Sequence, residues 1–186
     1  MEILLKGALA LFYFINTNII KQPVAATTTS PERDLPKSVL FSKSDTNIEF
    51  PDRIFIPSLS IELPIKATNV VGGTWLTYND AASFGIGSAN INDPFGNTVV
   101  FAHAKSGLFK GIDKLKAGDP ILIRSLDVWH EFEVSKRFYV DPKDVSFLNR
   151  NFGKSLILLT CFGEDDEQRV VIVAKEKGSH NGQKIV

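Results

Sequence analysis

The chain has 186 residues, of which 44% are hydrophobic and 23% charged, a composition typical of a globular protein and not of a disordered one. Basic and acidic residues number 21 each, so the formal net charge is zero. That balance argues against nucleic acid as a partner, because nucleic-acid binding needs a basic surface. The single cysteine excludes an intramolecular disulfide and a multi-cysteine zinc site.

The N-terminal residues 1–22 are largely apolar. They contain the stretch ILLKGALALFYFINTNII at Ile3–Ile20, in which Lys6 is the one charge. Such a segment is typical of a short membrane anchor or a signal peptide, and the alternative is a hydrophobic helix docked on a cytosolic protein. We expect a single-pass anchor in the cell membrane, with the rest of the chain outside the cytoplasm. Residues 23–50 are rich in Thr, Ser and Pro without a period, which predicts a flexible linker.

From residue 51 to residue 175 the pattern predicts short strands separated by turns. Leu108–Leu115 predicts one short helical turn, and no stretch has a long helical period. Many short strands at close spacing favour an all-β fold that closes into a barrel. Residues 176–186 are polar, and we expect a frayed tail there. The predicted strands are Arg53–Ile56, Ile61–Ile65, Thr74–Tyr78, Thr98–Ala102, Pro120–Arg124, Trp129–Val140, Ser155–Thr160 and Arg169–Ala174.

Cys161 is the first candidate for chemistry. It directly follows the predicted strand Ser155–Thr160, and the seven-residue loop Phe162–Gln168 separates it from a strand that begins with Arg169. If the two strands form an antiparallel hairpin, Cys161 and Arg169 face each other. A guanidinium beside a thiol lowers the thiol pKa and can stabilise an oxyanion. The alternative is that Cys161 is a small core residue and Arg169 an ordinary strand end.

His103 is the second candidate, since it follows the predicted strand Thr98–Ala102. Strand ends on one rim of a barrel converge, so a histidine there can exchange a proton with a cysteine. The alternative is a surface histidine in a turn. His130 in the middle of an alternating strand and His180 in the polar tail are poor catalytic candidates.

Three segments together resemble the sortases. Leu158–Lys175 (LLTCFGEDDEQRVVIVAK) resembles the family's L-x-T-C…R signature, and Phe101–Ile121 (FAHAKSGLFKGIDKLKAGDPI) resembles its histidine segment. Arg53–Ile65 (RIFIPSLSIELPI) resembles its opening strands. The resemblance covers most of residues 51–175. It implies an eight-stranded closed β-barrel with short helical turns, and a cysteine transpeptidase tethered outside a bacterial membrane.

The resemblance also implies a role for each matching residue. Cys161 would attack the carbonyl of a threonine-like residue in an LPXTG-like sorting signal and form an acyl thioester. His103 would protonate the leaving amine and deprotonate the incoming one, Arg169 would hold the oxyanion, and Thr160 would help to position the substrate. The implied partners are surface proteins that bear such a signal, and an amine acceptor such as a peptidoglycan precursor or a pilin lysine.

Some features depart from the family pattern. Many sortases have Asp or Asn two residues after the histidine, where this chain has Lys105, so a carboxylate for His103 has to come from elsewhere. The acidic loop residues 164–167 could compete for Arg169, or bind calcium as in some sortases, although no cofactor is expected because adjacent acids usually form a solvated turn.

Two other functions stay open at this point. One is a hydrolase in which water, and not an amine, resolves the thioester. The other is a non-catalytic surface barrel that binds peptides. The presence of His103, Cys161 and Arg169 together argues against the binder, because binding alone needs no thiol.

Overall fold

The structure is a computed structural model that describes residues 50–71 and 74–181. Eight strands of this part close into one barrel in the order β1-β2-β5-β6-β9-β10-β8-β7, and β3 and β4 form a separate two-stranded sheet. The all-β, eight-stranded closed barrel is confirmed. The strands are β1 (Arg53–Ile56), β2 (Ile61–Thr68), β3 (Val70–Val71), β4 (Thr74–Trp75), β5 (Ala82–Gly85), β6 (Asn97–Phe101), β7 (Pro120–Ser125), β8 (Val128–Val140), β9 (Ser155–Phe162) and β10 (Gln168–Asn181).

Helical structure in the described part is limited to three short 3-10 turns, at Pro57–Leu59, Ile112–Lys114 and Ser146–Asn149. The second of these is the short turn that the sequence predicts within Leu108–Leu115. None of the described helices is long and apolar enough to cross a membrane. The predicted anchor (1–22) and the predicted linker up to residue 49 lie outside the described residues.

Strand β9 lies between β6 and β10 in the barrel. It is parallel to β6 and antiparallel to β10. Because side chains alternate along a strand, Leu156 and Leu158 pack inside the barrel, and Ile157 and Leu159 pack outside it. The outside residues belong to a second apolar cluster, which we call the outer cluster. Its buried members are Trp75, Val99, Phe101, Phe147, Leu148, Ile157, Leu159, Val171 and Val173.

The prediction of a frayed tail from residue 176 is wrong for residues 176–181, because β10 continues to Asn181. Its last residues pair with β8, where Ser179 lies opposite His130. The end of β10 has polar side chains, and main-chain pairing with the 13-residue strand β8 keeps it in the sheet. An ion pair also holds it, because Glu176 lies 2.9 Å from the Lys154 ammonium.

Candidate active site

The pairing of β6 with β9 brings His103 and Cys161 to the same level of neighbouring strands. Phe101 is aligned with Leu159 in this parallel pair, and the Ala102 N–H donates to the Leu159 carbonyl at 3.3 Å. His103 lies two residues beyond Phe101, and Cys161 lies two residues beyond Leu159. Neighbouring strands are about 4.8 Å apart, so His103, just past the end of β6, lies level with Cys161 on β9.

Arg169 lies on the other side of Cys161. It pairs directly with Cys161 across the antiparallel strands β9 and β10, as the hairpin argument predicts. Cys161 itself lies within β9 and not after it, because main-chain pairing continues to Phe162. The connecting loop is therefore shorter than predicted and consists of residues 163–167.

Arg169 is 93% buried, and main-chain oxygens hold its guanidinium. Its Nη1 donates to the Asp166 carbonyl at 2.8 Å and to the Gln168 carbonyl at 3.0 Å. Within residues 50–71 and 74–181 no carboxylate lies within ion-pair distance of it, so the loop acids do not compete for it as the sequence suggested. Its Nε is buried without a hydrogen-bond partner and is free to donate to a ligand.

Thr160 links the two strand ends. Its Oγ1 donates a buried 2.7 Å hydrogen bond to the carbonyl oxygen of Ala102. The residue before Cys161 is thus tied to the residue before His103. The proton of this hydroxyl is used within the protein, and its oxygen keeps acceptor capacity.

A small pocket, open at its mouth, lies over Cys161. One of its walls is the Trp75 indole, which stacks on the Phe101 ring with the centroids 5.4 Å apart. Gly85 makes this packing possible, because a Cβ at that position would lie 2.9 Å from the indole. His103 is not one of the lining residues, but its chain neighbour Ala102 is. The lining residues are Trp75, Thr77, Phe101, Ala102, Leu159, Thr160, Cys161 and Arg169.

Burial is the largest influence on the pKa of Cys161. It raises the pKa of the Cys161 thiol, Arg169 opposes the shift, and Asp166 adds to it. The guanidinium thus acts on the thiol pKa in the predicted direction, but desolvation of the thiolate outweighs it.

The pKa of His103 is shifted in the opposite direction, below its ordinary value. Burial and the neighbouring Lys105 lower the pKa of His103, and Asp166 opposes them. At neutral pH the resting pair is therefore a neutral thiol beside a neutral imidazole.

The remaining candidates lie elsewhere. His130 is buried with its Nδ1 3.4 Å from a Glu176 carboxylate oxygen, and His180 lies on β10 with its Nε2 3.7 Å from Glu131. Among the described residues no group of three or more His, Cys, Asp or Glu side chains is placed to hold a metal ion. Sequence reasoning missed Trp75 as a pocket wall, although a tryptophan is a visible signal in a chain that has only two of them.

The sequence matches a family model described as the sortase domain over residues 54–177. The chain belongs to the sortase family. Sortases are cysteine transpeptidases associated with the bacterial cell surface, and they generally need no cofactor. None of the curated proteins matches the sequence.

Solved structures agree with this assignment at the level of the fold. Sortase E1 from Streptomyces coelicolor, solved with a tripeptide in its active site, is 20% identical with a TM-score of 0.62, covering 71% of this chain and 90% of that one. Sortase A from Corynebacterium diphtheriae, a lid mutant, is 23% identical with a TM-score of 0.59 and coverages of 68% and 69%. Sortase C-1 from Actinomyces oris is 22% identical with a TM-score of 0.58 and coverages of 68% and 72%.

Proposed function

We propose that this sortase cleaves an LPXTG-like sorting signal with Cys161 as the nucleophile, and transfers the acyl group to an amine. The observation that carries the proposal is the register of three adjacent strands. In that register Cys161 on β9 pairs with Arg169 on β10, and His103 follows the end of the neighbouring strand β6. A thiol, a proton carrier and a cationic donor are the groups that acyl transfer through a thioester requires.

The first half-reaction begins from the neutral pair. The imidazole of His103 takes the proton of the Cys161 thiol, and the thiolate attacks the carbonyl carbon of the threonine-like residue. The free Nε–H of Arg169 is the available donor to the oxyanion. The carbon–nitrogen bond to the following residue breaks, the imidazolium gives its proton to the leaving amine, and the acyl thioester remains.

The second half-reaction reverses the proton transfers. An incoming amine attacks the thioester carbonyl while His103 accepts its proton. The carbon–sulfur bond breaks, an amide forms, and the proton returns to the Cys161 sulfur. Thr160 lines the same pocket, and we assign its hydroxyl oxygen as an acceptor for a substrate N–H.

The proposed partners follow from this chemistry. They are surface proteins that bear an LPXTG-like signal, and an amine such as a peptidoglycan precursor or a pilin lysine. Product analysis with synthetic signal peptides tests the proposal, because an added amine should divert the acyl group from water to amide. Equal hydrolysis with and without the amine would favour the hydrolase. Turnover should persist in a chelator, since we propose that residues 164–167 form a solvated turn and not a calcium site.

We further propose that the barrel is extracytoplasmic and tethered by residues 1–22. The support is the apolar Ile3–Ile20 segment and the family's association with the cell surface. Protease treatment of intact cells tests this: the barrel should be digested without lysis. Protection in intact cells, with release into the soluble fraction on lysis, would contradict both the location and a surface-protein substrate.

A further inference from the structure

A second cavity, open to solvent and of about 390 Å³, lies at the start of β6, and we call it the β6 cavity. It adjoins the pocket over Cys161, because the Trp75 indole lines both of them. Val99 lines the β6 cavity and Phe101 lines the pocket, and both residues belong to the outer cluster. Since residues two apart on a strand point to the same face, one continuous face of β6 leads from the pocket to the β6 cavity.

Hydrogen bonds hold one wall of the β6 cavity in place. Residues 148–151, in and after the last 3-10 turn, form this wall. The Asn97 side chain on β6 donates from Nδ2 to the Leu148 carbonyl at 3.0 Å and to the Arg150 carbonyl at 2.9 Å. Its Oδ1 accepts a 2.7 Å hydrogen bond from the Ser155 hydroxyl on β9. The wall is therefore tied to both β6 and β9.

Two features of the β6 cavity point to a ligand. Phe95 lines it but is 78% exposed, the most exposed of the large hydrophobic side chains that the structure describes. Trp75 is 93% buried, yet its Nε1–H has no hydrogen-bond partner. An extended peptide satisfies both, because its side chains pack on an aromatic ring and its carbonyls accept hydrogen bonds. Among the described residues that line the cavity only Arg150 is charged, which disfavours a basic segment.

The strand register places the β6 cavity four to six residues from the nucleophile. Val99 is aligned with Ile157, and Asn97 with Ser155, on the strand that reaches Cys161. At about 3.3 Å per residue, these two levels lie roughly 13–20 Å from Cys161 along β9. An extended peptide whose threonine-like carbonyl meets the thiol covers that distance with the residues four to six positions before the threonine. The leucine of an LPXTG-like signal is only three positions before it, so these residues precede the motif.

We propose that the β6 cavity is a subsite for the substrate residues that immediately precede the LPXTG-like motif, and that one of them packs an apolar side chain on Phe95. The proposal rests on the proposed function in taking Cys161 as the nucleophile and an LPXTG-like peptide as the substrate. A bound segment passes the Trp75 indole, and its main chain supplies the acceptor that Nε1–H lacks. This sortase therefore distinguishes surface proteins by the segment in front of the signal as well as by the signal itself.

Two peptides and three proteins test the subsite. The short peptide is an acetylated LPXTG-like motif, and the long one carries three more uncharged residues before it, one of them phenylalanine. Phe95→Ala is compared with the wild type, and it should remain folded because this side chain is mostly exposed. Leu126→Ala is the matched control, since it removes an exposed apolar side chain from the turn between β7 and β8. The readout is the ratio of kcat/KM for the long peptide to kcat/KM for the short one.

We expect the wild type to prefer the long peptide by roughly tenfold, the gain from burying about one apolar side chain. Phe95→Ala should lose most of this preference, and Leu126→Ala should keep it. A ratio near one in the wild type, or an equal loss on both peptides in Phe95→Ala, would overturn the subsite and leave the proposed function standing.

A third peptide tests the direction of the bound chain. It carries the same three residues after the motif, and we expect no gain from them. A gain equal to that of the long peptide would overturn the subsite, because the added residues would then bind on the leaving side. If none of the three peptides acylates Cys161, the proposed function fails and the subsite fails with it.

Discussion

Thr160 donates a buried 2.7 Å hydrogen bond from its hydroxyl to the main-chain carbonyl of Ala102. The two residues are the immediate neighbours of Cys161 and His103. One hydrogen bond between parallel strands therefore helps to set the spacing of the nucleophile and its proton carrier.

Thr160→Val should lower the rate of acylation and raise KM, because the hydroxyl holds the Ala102 carbonyl and is also assigned as an acceptor for the substrate. Valine has nearly the shape of threonine, but the Ala102 carbonyl loses its donor, at a cost of about 1–2 kcal/mol of unfolding free energy. Thr160→Ser, which keeps the hydroxyl, is the control and should retain most of the rate. Steady-state kinetics and denaturant unfolding measure both effects. An unchanged kcat in Thr160→Val would show that this bond does not set the geometry of the pair.

His103→Ala and Arg169→Ala should each slow acylation by roughly two orders of magnitude or more. The first variant loses proton transfer, and the second loses the donor to the oxyanion. Arg169→Lys keeps the positive charge without the planar guanidinium and should recover only part of the rate. Rapid-quench measurements of the first turnover distinguish these effects from later steps. Acylation at the wild-type rate in both alanine variants would exclude the proposed roles.

Gly85→Ala should disturb the pocket through Trp75. The added Cβ would lie 2.9 Å from the indole, so the ring has to shift and its stacking on Phe101 is disturbed. Overpacking of this kind costs about 1–3 kcal/mol, and we expect KM for the peptide to rise. Gly178→Ala is the matched control on β10, where a Cβ meets nothing within 4 Å. Equal KM values for the two variants would mean that Trp75 does not contact the substrate.

Stability should fall on acidification, in part because of His130. Burial lowers the pKa of this histidine, Glu176 raises it, and Lys154 lowers it. Since its folded pKa lies below the ordinary value of about 6.5, the unfolded chain binds more protons in acid. The stabilisation is therefore present above that value and is lost as the pH falls through the folded pKa.

The corresponding measurement is the free energy of unfolding at pH 7 and pH 5. His130→Gln should lose less stability between these two pH values than the wild type. His130→Asn, a second neutral replacement, is the control for the choice of side chain and should lose the same part of the pH dependence. His103 is present in the wild type and in both variants, so its own contribution cancels in the comparison. An unchanged difference in His130→Gln would contradict the assignment.

The strands that sequence reasoning located best are those with alternating or uniformly apolar side chains. Arg53–Ile56 coincides with β1, and the antiparallel pairing of Cys161 with Arg169 followed from the hairpin alone. Strand β5 was not predicted, because its sequence ASFG is short, buried at every position and without a period. The end of β10 was not predicted either, since pairing with β8 and not apolar content holds it in place.

The site was predictable only as far as single residues carry a chemical signal. Cys161, His103 and Arg169 stand out by type and by position at strand ends. The direction of the Cys161 pKa was not predictable, because it depends on how deeply the fold buries the thiol. The hydrogen bond from Arg169 to the Asp166 carbonyl was not predictable either, because Asp166 has a left-handed backbone that only the folded loop shows.

Acyl-enzyme trapping tests the central claim most directly. The full chain is mixed with an LPXTG-like peptide, quenched in acid within the first turnover, and analysed by intact-protein mass spectrometry and peptide mapping. Cys161→Ala is the control; it should remain folded, because loss of one buried sulfur costs about 1 kcal/mol. The account predicts an adduct with the mass of the peptide fragment up to threonine, attached to Cys161 and released by an added amine. Cleavage of the peptide at an equal rate by Cys161→Ala, or an adduct on any other residue, would contradict it.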